Sequence, residues 1–109
     1  MVKSREKALL LVRELRDHLA AIYGDRLKGV YLFGSYARGE AGDDSDIDVA
    51  IVLGGVFNAR QETHRIIPLV SDLCLREDCL IVPFLLSEEE RRTTPYAVHR
   101  AILLEGIPA

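Results

Sequence analysis

The sequence carries no excess of positive charge and no long hydrophobic run. Its 109 residues include 14 Lys and Arg against 17 Asp and Glu, a formal net charge of −3. Proteins that bind DNA or RNA without sequence preference usually present a basic surface to the phosphates. No apolar stretch approaches the roughly 20 residues that cross a bilayer, and no apolar signal segment follows the charged amino terminus. We therefore expect a cytoplasmic protein that binds neither nucleic acid nor membrane.

Cysteine is scarce as well. Cys74 and Cys79 are the only two, and neither a second pair nor a nearby histidine completes a zinc site. We interpret both as reduced thiols that pack as small apolar side chains, rather than as a disulfide. Repeats, linkers and low-complexity segments are also missing, and 109 residues is the length of one domain. We predict a single domain over residues 1–109.

Regular spacing of apolar residues predicts two long helices. Apolar side chains recur every three or four residues over 3–23, which Gly24 should end, and again over 58–76. Pro68 lies inside the second pattern. Because proline has no backbone N–H and its ring clashes with the preceding turn, we expect a kink or a split there.

Three β-rich runs are interleaved with these helices and predict strands over residues 29–33, 47–53 and 79–86. Pro83 lies within the third run. Proline cannot donate to a sheet ladder, so we expect this strand to be an edge strand or to contain a bulge. An exposed edge could also pair with a copy of itself, which makes a homodimer an open alternative to a monomer.

The carboxy-terminal part contains two candidate helix starts. Ser87 and Glu90 fit a capping box, in which each side chain bonds the backbone N–H of the other. Thr94 and Pro95 fit a second N-cap with proline at the first helical position, and this helix should end at Gly106. In order, the elements predict an α/β (α+β) fold in which helices pack on a small mixed sheet.

The loop between the first two strands, "GSYARGEAGDDSDID", is rich in acidic residues around a single arginine, Arg38. The loop lacks the Lys and Ser/Thr of a Walker A motif after Gly39, and it lacks the glycine and terminal glutamate of an EF-hand. Its acidic residues are Glu40, Asp43, Asp44, Asp46 and Asp48. We interpret the first three as solvated loop residues.

Asp46 and Asp48 are the acidic pair with a predictable geometry. Side chains two residues apart on a strand point to the same face, so these carboxylates should lie close together. The repulsion between two such like charges is relieved by a shared proton or by a hard cation such as Mg²⁺. Upstream, Gly34 and Ser35 could bring backbone N–H groups and a hydroxyl to a phosphate. The combination predicts metal-assisted phosphoryl or nucleotidyl transfer.

The same residues resemble a known family. "GSYARGEAGDDSDIDVAIV" is similar to the signature of the DNA polymerase β-like nucleotidyltransferase superfamily, and more narrowly to the minimal nucleotidyltransferases (MNT proteins) that are paired with HEPN partners. The resemblance implies a polymerase β palm-like fold. It implies that Gly34 and Ser35 contact a nucleotide triphosphate and that Asp46 and Asp48 hold Mg²⁺. For Arg38 two roles stay open, a phosphate contact and an ion pair with a loop carboxylate.

The resemblance also implies a third carboxylate on the third strand, which completes the metal site and acts as a base. Counted back from Ser87, that position falls at Leu80. Asp78 lies two residues earlier and would share the face of Leu80 if the strand begins early. We therefore count Asp78 with Asp46 and Asp48 as catalytic candidates.

Two hypotheses about function follow. By resemblance, the chain would transfer AMP from ATP to a hydroxyl of a HEPN-type toxin, which makes it the antitoxin of the pair. The sequence leaves no segment for an acceptor-binding domain, so the acceptor should be a separate protein rather than a small molecule. The alternative is a binding module with a decayed site, which neutralises its partner by contact alone; the apolar Leu80 favours it.

Overall fold

The computed structural model describes residues 4–42 and 44–109, which form five α-helices and four strands. The helices are α1 (Arg5–Tyr23), α2 (Ser35–Arg38), α3 (Ala59–Glu77), α4 (Glu88–Thr93) and α5 (Ala97–Glu105). The strands are β1 (Leu27–Phe33), β2 (Ile47–Leu53), β3 (Ile81–Ser87) and β4 (Ile107–Pro108). A short 3-10 turn, Gly24–Arg26, joins α1 to β1. In the described ranges, no helix is both long enough and apolar enough to span a membrane.

The strands form one mixed sheet in the order β3-β2-β1-β4. β2 runs antiparallel to β1 and parallel to β3, and β4 runs antiparallel to β1. The predicted α/β class, with helices on a small mixed sheet, is therefore confirmed. β2 has the predicted bounds, and it is buried along almost its whole length because it lies between two other strands.

The two faces of the sheet are covered unequally. α1 and α3 pack on one face, where alternate β2 residues join the main core: Ile47, Val49, Ile51 and Leu53. The intervening β2 residues, Asp48, Ala50 and Val52, point to the other face. There a smaller apolar cluster forms around Ile102 of α5. Asp48 starts this second face of β2 and is only partly buried.

Both long helices form close to their predicted bounds. Ser4 caps α1 by accepting from the Lys7 N–H, and Gly24 ends the helix as predicted; residue 3 lies outside the described residues. α3 is continuous across Pro68, so the predicted split is wrong. Pro68 and the residue four positions before it, His64, are both exposed. The carbonyl that loses its intrahelical bond to Pro68 can therefore bond water instead.

The capping box is confirmed, and the second predicted N-cap is wrong. Ser87 Oγ accepts from the Glu90 N–H at 3.0 Å, and Glu90 Oε1 accepts from the Ser87 N–H at 3.0 Å. Thr94 ends α4 instead of starting α5: it has a φ of 46° and donates its N–H to the Glu90 carbonyl. α5 begins at Ala97, and Gly106 caps its carboxyl end, as predicted.

β3 lies at one edge of the sheet, which confirms the edge predicted from Pro83. Pro83 stands opposite Val49 in the parallel ladder. In that pattern the ladder bonds to Val49 come from the residues on either side of Pro83. The proline nitrogen therefore faces the open edge, where its missing N–H costs no bond within the sheet.

Cys74 and Cys79 are not joined in a disulfide, and both pack, partly buried, against the main core. Cys74 Sγ also accepts from the Ile81 N–H at 3.2 Å, at the start of β3. The interpretation of both as packing thiols is confirmed.

Candidate functional site

A tight turn follows β1 and carries the first part of the candidate site. Gly34 has φ 77° and ψ −154°, a conformation that is essentially restricted to glycine. One helical turn, Ser35–Arg38, follows, and the Arg38 N–H donates to the Gly34 carbonyl at 3.1 Å. Gly39 ends this turn with a φ of 73°. Ser35 therefore starts a single helical turn directly after β1 and Gly34, the position that a phosphate cradle would need.

The carboxylate of Asp48 lies directly against Gly34. Asp48 is the pairing partner of Phe33, the residue before Gly34. A Cβ built on Gly34 would overlap Asp48 Oδ2 and would lie 3.1 Å from Asp48 Cγ. Glycine is therefore required here twice, by its backbone angles and by the closeness of the carboxylate. The two halves of the sequence motif meet at this point.

Asp46 precedes β2 and is exposed, while Asp48 is half-buried. Burial raises the pKa of the Asp48 carboxyl above its ordinary value, and the neighbouring Asp46 charge raises it further. The Arg38 guanidinium opposes this shift. Asp46 lies near enough for its charge to act on Asp48, but only Asp48 belongs to the strand, so the strand alternation on which the prediction rested does not apply to Asp46.

The residues present fit a hard divalent cation. Carboxylate oxygens such as those of Asp46 and Asp48 are the ligands that Mg²⁺ prefers. The pKa of Asp48 is raised by burial first and by the charge of Asp46 second, and a bound cation would oppose both effects. Within 4–42 and 44–109, no three His, Cys, Asp or Glu side chains converge on one point. A cation held by this pair would complete its coordination with phosphate and water oxygens.

Arg38 pairs with two carboxylates. Its Nε donates to Glu40 Oε2 at 3.0 Å, and its Nη1 donates to Glu105 Oε2 at 3.1 Å. Of the two roles left open for Arg38, the pair with a loop carboxylate is the one observed. The solvated-loop interpretation needs a correction for Glu40, which is exposed but ion-paired, whereas Asp44 is exposed as predicted. Asp43 lies outside the described residues.

Asp78 does not belong to β3. It ends α3 in a left-handed conformation with φ 49°, and β3 begins three residues later at Ile81. The expectation that the strand begins early enough to include Asp78 is therefore wrong, because the helix extends to Glu77. Asp78 still shares an open cleft of about 210 Å³ with Asp46. The cleft is lined by Tyr36, Asp44, Ser45, Asp46, Asp78, Cys79 and Leu80.

The neighbours of Asp48 on β3 are apolar. Val82 is the register partner of Asp48. The carbonyl oxygen of Leu80, just before the strand, accepts a hydrogen bond from the Ile47 N–H at 2.8 Å. Both lie at alternate positions that point to the same face as Asp48. Leu80 is 55% exposed. The face where a third carboxylate would stand thus carries two aliphatic side chains.

Sequence reasoning missed Glu105. Its long-range pair with Arg38 spans 67 residues, so no local pattern reports it.

Comparison with known sequences gives a consistent set of relatives. A family model described as "Nucleotidyltransferase domain" matches residues 12–104. MJ0604 of Methanocaldococcus jannaschii, named as a candidate protein adenylyltransferase, is 36% identical over 104 residues, which cover 94% of this chain and 95% of MJ0604. MJ0141 of the same organism, named in the same way, is 36% identical over 75 residues, or 69% of this chain and 75% of MJ0141.

Comparison with solved structures identifies the same fold. A candidate nucleotidyltransferase from Sulfolobus solfataricus superposes with a TM-score of 0.65 at 25% identity, covering 99% of this chain and 87% of that one. A complex of a tri-AMPylated Shewanella oneidensis HEPN toxin with an MNT antitoxin contains a chain that superposes with a TM-score of 0.57. That match has 19% identity and covers 93% of this chain and 70% of the other, so it supports the fold alone.

Proposed function

The chain belongs to the nucleotidyltransferase domain family and is a nucleotidyltransferase, and from this premise we propose that it transfers AMP from ATP to a hydroxyl of a partner protein. The observation that carries the proposal is the contact of the Asp48 carboxylate with Gly34. It joins a candidate cation site to a candidate phosphate cradle. Two relatives named as protein adenylyltransferases support the choice of adenylate and of a protein acceptor.

In the proposed mechanism, Gly34 and Ser35 bind the triphosphate through backbone N–H groups and a hydroxyl, and Arg38 contacts its oxygens. Asp46 and Asp48 would hold Mg²⁺. Bound there, the ion would neutralise charge on the phosphates and on the departing pyrophosphate. The acceptor hydroxyl oxygen forms a bond to the α-phosphorus, the bond from that phosphorus to pyrophosphate breaks, and Asp78, across the shared cleft from Asp46, accepts the hydroxyl proton.

We propose a HEPN-type protein as the acceptor and this chain as its antitoxin, acting in the cytoplasm. The support is the sequence resemblance to MNT proteins and the shared fold with an MNT antitoxin that is found in complex with an AMPylated HEPN toxin. The formal net charge of −3 does not favour nucleic acid as the acceptor.

The test is transfer of label from [α-³²P]ATP to a co-purified HEPN protein in the presence of Mg²⁺. We expect label on the partner with the wild-type chain, none with [γ-³²P]ATP, and none after chelation of the cation. Asp46→Asn and Asp48→Asn should abolish transfer. Asp72→Asn, which removes an exposed charge on α3, should retain it. A stable complex that acquires no label from [α-³²P]ATP would contradict the proposal.

One observation favours a second function, a decayed site in a binding module. Val82 and Leu80 occupy the face beside Asp48 where a further carboxylate would complete the cation site. A decayed module should give no heat on titration with Mg-ATP, and Asp48→Asn should still neutralise the toxin. An active transferase should bind Mg-ATP, and Asp48→Asn should lose neutralisation while still forming the complex.

A further inference from the structure

Glu105 connects the last helix to the candidate site. It is the final residue of α5, and its Oε2 accepts from Arg38 Nη1 at 3.1 Å. The same guanidinium donates from Nε to Glu40 at 3.0 Å. Arg38 is also close enough to Asp48 to lower the pKa of that carboxyl. One arginine at the mouth of the site is therefore shared between two glutamates from different parts of the fold.

The backbone at Glu105 is firmly held. Gly106 leaves no room for a side chain, because a Cβ there would clash with the Ile102 carbonyl oxygen and would lie 3.3 Å from Tyr31 Cβ. Immediately afterwards, Ile107 of β4 pairs with Leu32 of β1. Glu105 is thus fixed between a helix end and a strand, and its side chain is 32% exposed.

The backbone at Glu40 is held by a local bond, in which its N–H donates to the Ser35 carbonyl at 2.9 Å, and Glu40 does not adjoin a strand. Glu40 follows the one-turn helix α2 and opens the loop that leads to β2, and its side chain is 66% exposed. Both ion pairs are solvent-accessible, so neither contributes much stability by itself. They differ in what fixes the backbone beside each glutamate: Glu105 is followed by a strand of the sheet, whereas Glu40 lies between a one-turn helix and a loop.

We propose that Glu105 is a positioning residue, which holds Arg38 in the orientation that binds the triphosphate, and that Glu40 is the partner the triphosphate replaces. This inference rests on the proposed function, in which Arg38 contacts phosphate. A free arginine loses rotamer freedom when it binds a phosphate, and an arginine already held by Glu105 loses less. Because guanidinium has five N–H donors, it can keep the Glu105 bond while it binds a phosphate oxygen.

The test compares two matched variants, Glu105→Gln and Glu40→Gln, by calorimetric titration of Mg-ATP. Each variant removes one negative charge that pairs with Arg38. If only the overall charge mattered, both variants would change the Kd in the same direction. We expect Glu105→Gln to raise the Kd about two- to fivefold, the range of an exposed ion pair. Glu40→Gln should not raise it. In the transfer assay, Glu105→Gln should raise the KM for ATP by the same factor and leave kcat nearly unchanged.

An Arg38→Gln background separates positioning from a structural role. In the Arg38→Gln background, Glu105→Gln should have no further effect on the Kd. In the native background, Glu105→Asp keeps the negative charge, so it should bind Mg-ATP more tightly than Glu105→Gln does. An equal rise in the Kd for both glutamate variants, a rise for Glu40→Gln alone, or an undiminished effect of Glu105→Gln without Arg38 would overturn the inference. If the wild-type chain binds no Mg-ATP, the proposed function itself fails; if it binds and Glu105→Gln binds equally well, only the role of Glu105 fails.

Discussion

Gly34 is the residue on which the geometry of the candidate site depends most directly. Its backbone angles are nearly exclusive to glycine, and its missing side chain makes room for the Asp48 carboxylate. We expect Gly34→Ala to lower the free energy of unfolding by about 1 to 3 kcal/mol through backbone strain. The added methyl group should also displace Asp48 and remove the increase in Tm that we expect Mg²⁺ to give the wild-type chain.

Gly39→Ala is the matched control for that variant. Gly39 also has a positive φ, 73°, but a Cβ there would meet nothing within 4 Å. The strain should cost roughly 1 to 2 kcal/mol, and the response to Mg²⁺ should survive. Urea unfolding gives the first quantity, and thermal melts with and without MgCl₂ give the second. Gly34→Ala with an intact response to Mg²⁺ would show that the Asp48 contact is not part of a cation site.

Asp48 should destabilise the folded chain at neutral pH when no divalent cation is bound. Its folded pKa is raised above the ordinary value of 3.8, by burial first and by Asp46 second. A carboxyl with a raised folded pKa stabilises the fold only while it is protonated, at low pH. That contribution is lost as the pH rises through the folded pKa, so the ionised form carries a cost at pH 7.

We therefore expect Asp48→Asn to stabilise the cation-free chain at pH 7. Because Asp48 is only half-buried and solvent screens its charge, the gain should be about 0.5 kcal/mol, or about 2 to 4 °C in Tm. The gain should disappear as the pH falls below the folded pKa of Asp48. Thermal melts in EDTA over a pH series measure both effects. A lower Tm for Asp48→Asn in EDTA at pH 7 would mean that the ionised carboxylate makes a stabilising contact.

At the scale of elements, the sequence predicts best those helices and strands that a single local pattern of residue types determines. The stretch "IDVAIVL" is bounded by polar residues and Gly54, and β2 has the predicted limits. Pro83 indicates an edge because one missing N–H restricts where a strand can lie. The amphipathic pattern of α1 and α3 places their buried faces correctly, with Leu15 and Ile66 fully buried.

The prediction fails where tertiary surroundings decide. Pro68 does not split α3, because it lies on a face that water can reach. β4 has only two residues, too short for any periodicity, and it exists because β1 offers it a free edge. Asp78 is excluded from β3 by the length of α3, and the pair of Glu105 with Arg38 depends on α5 and β4 together. The motif residues were therefore predictable, and the residues that support them were not.

At the scale of the whole molecule, both edges of the sheet are poorly suited to further pairing. β3 presents Pro83 to its open side, and β4 is two residues long and contains Pro108. Short edge strands and prolines at edges are devices that prevent sheets from joining. We therefore expect the isolated chain to be a monomer, in preference to a dimer formed through the β3 edge.

Small-angle X-ray scattering should then give a radius of gyration near the 13.1 Å of the Cα trace, enlarged slightly by hydration. A compact dimer of the same chain would give about 17 Å. Pro83→Thr returns an N–H to the open edge and a β-branched side chain to the strand, so it should increase self-association with concentration. A wild-type radius of gyration near that of the dimer, unchanged by dilution, would contradict the expectation that the β3 edge does not pair. If Pro83→Thr does not increase self-association, something other than the proline blocks pairing at this edge.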